Sequence, residues 1–85
     1  FLNETPLMLK ALNDHLDKRN YEEVKFYAHK LKSSIDLFQI NGLQNDIRVL
    51  EKLAVDQDDL PAIGRYVKGI TGTLNVVMKE IVKEV

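Results

Sequence analysis

Apolar side chains recur at intervals of three and four residues along most of the chain, which is the spacing of one face of an α-helix. The pattern predicts four helices, over residues 1–18, 20–39, 42–55 and from about residue 60 onward. No segment alternates as a half-buried strand would. The predicted inward residues are, helix by helix, Leu2, Leu9, Leu12 and Leu16; Val24, Tyr27, Ala28, Leu31, Ser34, Ile35 and Phe38; Leu43, Ile47, Leu50, Leu53 and Ala54; and Leu60, Ile63, Val67, Ile70, Leu74, Val77 and Ile81.

Polar residues stand at the predicted starts of the helices. The expected N-caps are, in chain order, Asn3 or Thr5, Asn20, Asn41 and the polar run 56–59. Glu23 follows Asn20 by three residues, so these two residues predict a capping box. Pro6 and Pro61 are compatible with helices because each falls in a predicted first turn.

Four amphipathic helices joined by three short turns predict an all-α fold, an antiparallel up-down-up-down four-helix bundle, because short connections make successive helices antiparallel neighbours. We assign the whole chain, residues 1–85, to this single domain, since 85 residues form only one small core. The fourth helix has the three-and-four spacing of bundle packing. Its glycines, Gly64, Gly69 and Gly72, indicate either close contacts between helices or a softened middle.

Composition narrows the class of protein. The net charge of −1 at pH 7 provides no basic surface for nucleic acid or for an anionic membrane. The chain has no cysteine, no histidine pair at metal-ligand spacing and no glycine-rich phosphate loop, so we expect no disulfide, no metal site and no nucleotide site. No apolar run is long enough to span a bilayer and no signal peptide is visible, so we expect no direct membrane contact.

One histidine, His29, stands on the polar side of the second helix, opposite the predicted core face. Lys32 at i+3 and Lys25 at i−4 share its side of the helix, so an anionic group at the imidazole would meet two cations. Ser33 at i+4 is small and leaves room for a partner to approach the ring. The alternative is a solvated helix face without chemistry. His15 has no partner at a useful spacing, and we interpret it as structural.

Two apolar residues of the second helix lie outside its predicted core stripe. Phe26 and Leu37 lie roughly 60° and 80° from His29, both on the same side. Neighbouring exposed apolar groups often mark an interaction site, so we predict a docking patch here, with Glu22 and Asp36 beside it. Coverage of Phe26 by the first helix is the alternative. Asp36, one further turn along on this face, would repel an anion at His29 unless it pairs with Lys32, four residues before it.

The segment around His29 also resembles a known signature. Residues 28–34 read Ala-His-Lys-Leu-Lys-Ser-Ser and are similar to the Ala-His-x-Leu-Lys-Gly-Ser-Ser motif of the histidine-containing phosphotransfer (HPt) domains of bacterial multistep phosphorelays. Ser33 replaces the first glycine of that motif, and Gln39 stands where a later glycine is common. Tyr21 matches an aromatic residue eight positions before the histidine, and Leu50-Glu51 matches a later Leu-Glu pair. The resemblance covers residues 2–54; the fourth helix is generic.

This resemblance implies a carrier of phosphoryl groups, not an enzyme, whose partners are response-regulator receiver domains. His29 would be the phosphoryl acceptor and Lys32 the supporting cation. Transfer between His29 and a receiver aspartate then depends on in-line placement and charge neutralisation. No cofactor is expected in this chain, because the receiver domain would supply the Mg²⁺ ion and most of the catalytic groups. The domain is expected to be monomeric and cytoplasmic.

Two further questions concern the protein that contains this sequence. The chain begins with Phe1, so we expect a piece of a hybrid sensor kinase or a trimmed free-standing HPt protein. A helical protein-interaction module whose histidine is never phosphorylated is the second hypothesis, favoured by Ser33 and Gln39.

Kinase dimerisation domains carry an acidic residue directly after their histidine and a proline soon after. Lys30 and the absence of that proline argue against this class.

Overall fold

Four helices, separated by short connections, make up almost all of the described chain. The computed structural model describes residues 4–40 and 42–84, with side chains described up to residue 80. The helices are α1 (Thr5–Asp17), α2 (Tyr21–Leu37), α3 (Leu43–Asp56) and α4 (Leu60–Glu84). Each packs against the next one in the chain, and α1 also packs against α4, which closes the ring. The predicted all-α four-helix bundle is confirmed.

The interior of the bundle contains the apolar stripe of every helix. The fully or almost fully buried apolar residues are Leu9, Leu12, Val24, Ala28, Leu31, Ile35, Leu43, Ile47, Leu50, Ala54, Ala62, Ile63, Val67, Ile70 and Leu74. All of them except Ala62 were predicted to point inward. Leu16, Tyr27 and Leu53 are partly buried against this core. The α2–α3 contact is the most extensive of the four and the α1–α4 contact the least.

Two residues predicted to be in the core lie at the surface. Phe38, the C-cap residue of α2, and Leu60, the first residue of α4, are both exposed. The helical pattern gives the direction in which a side chain points but not how far the neighbouring helices extend, so it fails at helix ends. Leu2 and the side chain of Ile81 lie outside the described residues.

The observed caps differ from the predicted ones. Asn20 is the N-cap residue of α2, but its side chain makes no capping hydrogen bond. The predicted capping box is wrong, because the Asn20 N–H donates to the carbonyl oxygen of His15 at 2.9 Å. The N-cap residue of α1 is Glu4, and Thr5 is instead the buried first residue of that helix.

The other helix starts follow the prediction more closely. Pro6 lies in the first turn of α1. Asp59 caps α4, since its Oδ1 accepts the Ala62 N–H at 3.2 Å. Gly42 is the N-cap residue of α3, with φ of 85°, and the predicted cap Asn41 lies outside the described residues.

The glycines of α4 do not mark close helix contacts. A Cβ atom added at Gly64, Gly69 or Gly72 would have no neighbour within 4 Å. The close-contact alternative is therefore wrong, and a softened middle of α4 stays a prediction.

The turn after α2 forms without the glycine that the resemblance led us to look for. Gln39 has a left-handed backbone with φ of 52°. Its N–H donates to the backbone carbonyl oxygen of Asp36, and the N–H of Ile40 donates to that of Ile35, each at 3.2 Å. This is the hydrogen-bond pattern of a Schellman motif. Glycine adopts this conformation freely, whereas in another residue the same conformation lowers the stability of the fold by about 1 kcal/mol. Gln39 therefore preserves the turn at a modest cost in stability.

Candidate functional site

The rotation of α2 about its own axis places His29 at the surface. Val24, Ala28, Leu31 and Ile35 are completely buried, and they fix the inward side of the helix. His29 therefore projects outward, and 64% of its side chain is exposed. Ser33 is exposed one turn later on the same helix.

A carboxylate from the neighbouring helix lies beside the imidazole. Glu51 on α3 has its Oε2 3.3 Å from His29 Nδ1 and 3.3 Å from Lys32 Nζ, and its Oε1 3.5 Å from the same Nζ. An ionised carboxylate can only accept hydrogen bonds, so Nδ1 is the donor in this contact, and the neutral tautomer that donates Nδ1–H has its lone pair on Nε2. His29 Nε2 makes no hydrogen bond to any residue that the structure describes.

A second ion pair joins the same two helices. Arg48 Nη2 lies 2.7 Å from Asp36 Oδ2, and Arg48 Nη1 donates to the Gln44 carbonyl oxygen at 2.7 Å. The hydrogen bond that the Arg48 guanidinium donates to Asp36 raises the pKa of Arg48 above its ordinary value. Asp36 is therefore neutralised by Arg48, and Lys32, its possible partner within α2, pairs with Glu51 instead. Because α2 and α3 run antiparallel, a single alignment of the two helices brings both Asp36 to Arg48 and Lys32 to Glu51.

The charges around His29 are largely balanced. Lys32 and Arg48 each face a carboxylate, whereas Lys25 has no ion pair among the described residues. Lys25 is exposed and lines a shallow depression together with Glu22, Glu23, Phe26 and His29. Of the two cations predicted beside His29, Lys25 is thus the unpaired one.

The two apolar residues that break the helical pattern are exposed. Phe26 is 48% and Leu37 75% accessible. The ring of Phe26 packs edge-on against Tyr27, with centroids 5.2 Å apart, and Lys30 Nζ lies 4.7 Å from the Phe26 centroid. The first helix therefore does not cover either residue, and their surfaces remain open to a partner.

The second histidine is in a different environment. His15 is partly buried and stacks on Tyr27 with ring centroids 5.6 Å apart. Its Nδ1 is buried without a hydrogen-bond partner among the described residues. This ring is held by packing and is less accessible to a large partner than His29.

Sequence reasoning assigned no role to Glu51 or Arg48. A signal for both was present, because on α2 a cation precedes an anion by four residues, and on α3 a cation precedes an anion by three. Antiparallel packing of the two helices sets Lys32 against Glu51 and Asp36 against Arg48. Which cation pairs with which anion is determined by the register between the two helices.

The described residues thus form a helical bundle that presents an exposed imidazole beside a carboxylate. A family model described as the Hpt domain matches residues 1–80. The chain belongs to the Hpt domain family. Membership implies phosphotransfer within a phosphorelay and interaction with receiver domains, and Hpt domains are phosphoryl carriers and not enzymes. No curated protein and no solved structure matches the chain.

Neither a membrane-spanning helix nor a metal-binding cluster occurs among the described residues. None of their helices is both long enough and apolar enough to cross a membrane. No group of three or more His, Asp or Glu side chains among them is arranged to hold a metal ion.

Proposed function

We propose that His29 is the phosphoryl acceptor of this Hpt domain. It takes the phosphoryl group from the phospho-aspartate of one receiver domain and passes it to the aspartate of another. The observation that carries the proposal is the orientation of the imidazole, with Nδ1 3.3 Å from Glu51 and a largely exposed ring. A neutral ring held in this way has its free lone pair on Nε2.

The transfer needs only positioning from this chain. The Nε2 lone pair of His29 attacks phosphorus, the bond from phosphorus to the aspartate oxygen breaks, and the carboxylate leaves with that electron pair. The Nδ1 proton stays on the ring, opposite Glu51. The receiver supplies the Mg²⁺ ion and the in-line geometry, and this chain supplies Lys25 and Lys32 as nearby cations.

The surface around His29 suits the approach of a receiver. Phe26 precedes the histidine by one turn and Leu37 follows it by about two turns, so exposed apolar groups flank the acceptor. Ser33, one turn after His29, has a small side chain that leaves room for the receiver. Glu22 and Asp36 lie beside the apolar residues. We assign these residues to receiver docking.

The cellular setting forms part of the same proposal. Receiver domains act in the cytoplasm, so we place this domain there, as a monomer and as a module of a hybrid sensor kinase. Monomeric behaviour is checked by light scattering on the purified chain, and a stable dimer would contradict it.

Labelling by receivers tests the function. The chain is incubated with a panel of phosphorylated receiver domains carrying a radioactive phosphoryl group, and we expect at least one to transfer its label. The label should be lost in acid and retained in base, as expected for phosphohistidine and opposite to an aspartyl phosphate. A chain that binds receivers but takes no label from any of them would instead be the unphosphorylated interaction module.

Docking is tested by removing the two apolar side chains. Phe26→Ala combined with Leu37→Ala should weaken receiver binding about tenfold or more, a loss of at least about 1.4 kcal/mol, because a few residues at the centre of an interface carry most of its binding free energy. Binding is measured by calorimetry and stability by thermal melting. Val76→Ala is the matched control, since Val76 is exposed on α4. Normal binding together with a sharp loss of stability would place Phe26 and Leu37 in the core and end the docking proposal.

A further inference from the structure

One cation lies in the middle of the apolar surface that we assign to receiver docking. Phe26, Lys30, Ser33 and Leu37 follow one another at intervals of four, three and four residues, so they form a single stripe along α2, which we call the docking stripe. All four side chains are exposed. With a rise of about 1.5 Å per residue, the stripe is about 16 Å long. It has an apolar group at each end, and Lys30 is its only charged member.

The ammonium group of Lys30 contacts aromatic rings and no carboxylate of the described residues. Its Nζ lies 4.7 Å from the ring centroid of Phe26 and 6.0 Å from that of Tyr27. It makes no hydrogen bond and no ion pair to any residue that the structure describes. Lys32 and Arg48, in contrast, each face a carboxylate across the α2–α3 contact. The charge of Lys30 is therefore available to a partner.

We propose that Lys30 determines which receivers this domain accepts, by selecting a receiver that places an aspartate or glutamate side chain over the middle of the docking stripe. A receiver that covers Phe26 and Leu37 also removes water from the ammonium group between them. Burying an ammonium group is unfavourable unless an anion of the partner compensates its charge. This inference rests on the proposed function and adds to it the specificity of the same surface.

The aromatic contact of Lys30 does not replace that anion. A ring attracts a cation only through its quadrupole, whereas a carboxylate carries a full opposite charge. A receiver with a neutral residue over Lys30 leaves the cation desolvated and uncompensated, and a receiver with a basic residue adds repulsion. Lys30 thus rejects some receivers as well as attracting others. Because the contact forms only when the stripe is covered, we expect it to act mainly on the dissociation rate.

The direction of Lys30 separates its role from the chemistry at His29. Lys30 is the next residue in the chain, but it lies about 100° from His29 around the helix. Lys25 and Lys32 are the cations on the side of the acceptor ring. We therefore expect Lys30 to affect the binding of a receiver and to leave phosphoryl transfer within the bound complex unchanged.

The test uses the receiver domain that labels the wild-type chain most rapidly. Lys30→Met keeps a long unbranched side chain without the charge and should weaken binding of that receiver about tenfold. Lys30→Glu reverses the charge and should weaken binding about a hundredfold. Lys30→Arg should stay within about threefold of the wild type, because arginine keeps the charge and also stacks on aromatic rings. Binding is measured by calorimetry, and in labelling assays the KM should rise while kcat stays unchanged.

Lys79 provides the matched controls. It is exposed on α4, a helix whose described residues do not contact α2. Lys79→Met and Lys79→Glu make the same changes in net charge and should bind the receiver like the wild type. All of these substitutions are at exposed positions, so melting temperatures should change little.

A charge exchange identifies the group on the receiver. Each aspartate and glutamate on the receiver surface is replaced by lysine in turn, one receiver variant at a time. One of these variants should bind Lys30→Glu at least about tenfold more tightly than the unchanged receiver does, because the exchange restores the pair of opposite charges. The same variant should bind the wild-type chain more weakly than the unchanged receiver.

The outcomes separate this inference from the proposed function. A wild-type chain that takes no label from any receiver would contradict the proposed function, and this inference with it. A labelled wild type with unchanged binding in Lys30→Met and Lys30→Glu would leave the function intact and overturn the role of Lys30. Weaker binding that no charge exchange restores would show that Lys30 only holds the Phe26 ring, which also overturns the proposal. If Lys30→Glu fails to fold, Lys30→Met is combined with receivers whose carboxylates are changed singly to amides, and additive losses for every one of them overturn it.

Discussion

We expect that replacing His29 by glutamine abolishes phosphoryl labelling and leaves the four-helix bundle folded. Glutamine cannot form the bond from a ring nitrogen to phosphorus on which the proposed transfer depends. The side chain is 64% exposed, so its loss should change the free energy of unfolding by less than about 0.5 kcal/mol. Labelling is measured with the receiver that is most active toward the wild type, and folding by circular dichroism and thermal melting.

His15 provides the matched control for this experiment. His15→Gln removes the other histidine of the chain, which is partly buried against Tyr27, and should leave labelling by the receiver unchanged. Label that persists in His29→Gln, or that disappears only in His15→Gln, would contradict the assignment of the acceptor.

The largest expected effect on stability comes from a large core residue close to the acceptor in the chain. Leu31 lies two residues after His29 and is completely buried among the other core residues. Leu31→Ala should lower the free energy of unfolding by about 2–5 kcal/mol, because it removes buried apolar surface and leaves a cavity. A domain of this size has a total of roughly 4–13 kcal/mol, at 0.05–0.15 kcal/mol per residue, so this loss is large.

Leu37→Ala makes the same chemical change at the surface of the same helix. Leu37 is 75% exposed, and we expect its truncation to cost less than about 0.5 kcal/mol. Urea denaturation of both variants gives the comparison. Equal losses in the two variants would show that the burial described for α2 is wrong and would remove Leu37 from the proposed docking patch.

The sequence alone predicted the fold and the exposure of the candidate site, because both follow from the direction in which side chains leave a helix. The buried stripe of α2 fixes the orientation of its other faces, so His29, Phe26 and Leu37 could be predicted at the surface. Direction alone was insufficient at helix ends. Phe38 and Leu60 point toward the bundle by their periodicity, yet they are exposed, since burial there depends on how far neighbouring helices extend.

The ion pairs of the site join two helices, and the periodicity of a single helix cannot predict contacts between helices. Lys32 was expected to be available to a phosphoryl group, but it faces Glu51 from α3. The only partner considered for Asp36 was Lys32 within α2, but Asp36 pairs with Arg48 of α3 at 2.7 Å. Both pairs depend on the register between α2 and α3, which core packing sets over the whole length of the two helices. Residues of α2 alone could not predict them.

The paired charges between α2 and α3 also bear on how quickly a receiver finds this domain. Long-range attraction accelerates association only when a surface carries a net charge, and here Lys32 with Glu51 and Asp36 with Arg48 leave little. Encounters should therefore occur at the ordinary rate of unsteered proteins, about 10⁵–10⁶ M⁻¹s⁻¹, with a weak dependence on salt. Discrimination among competing receivers would then fall to short-range fit and to how long each complex lasts, and not to how often it forms.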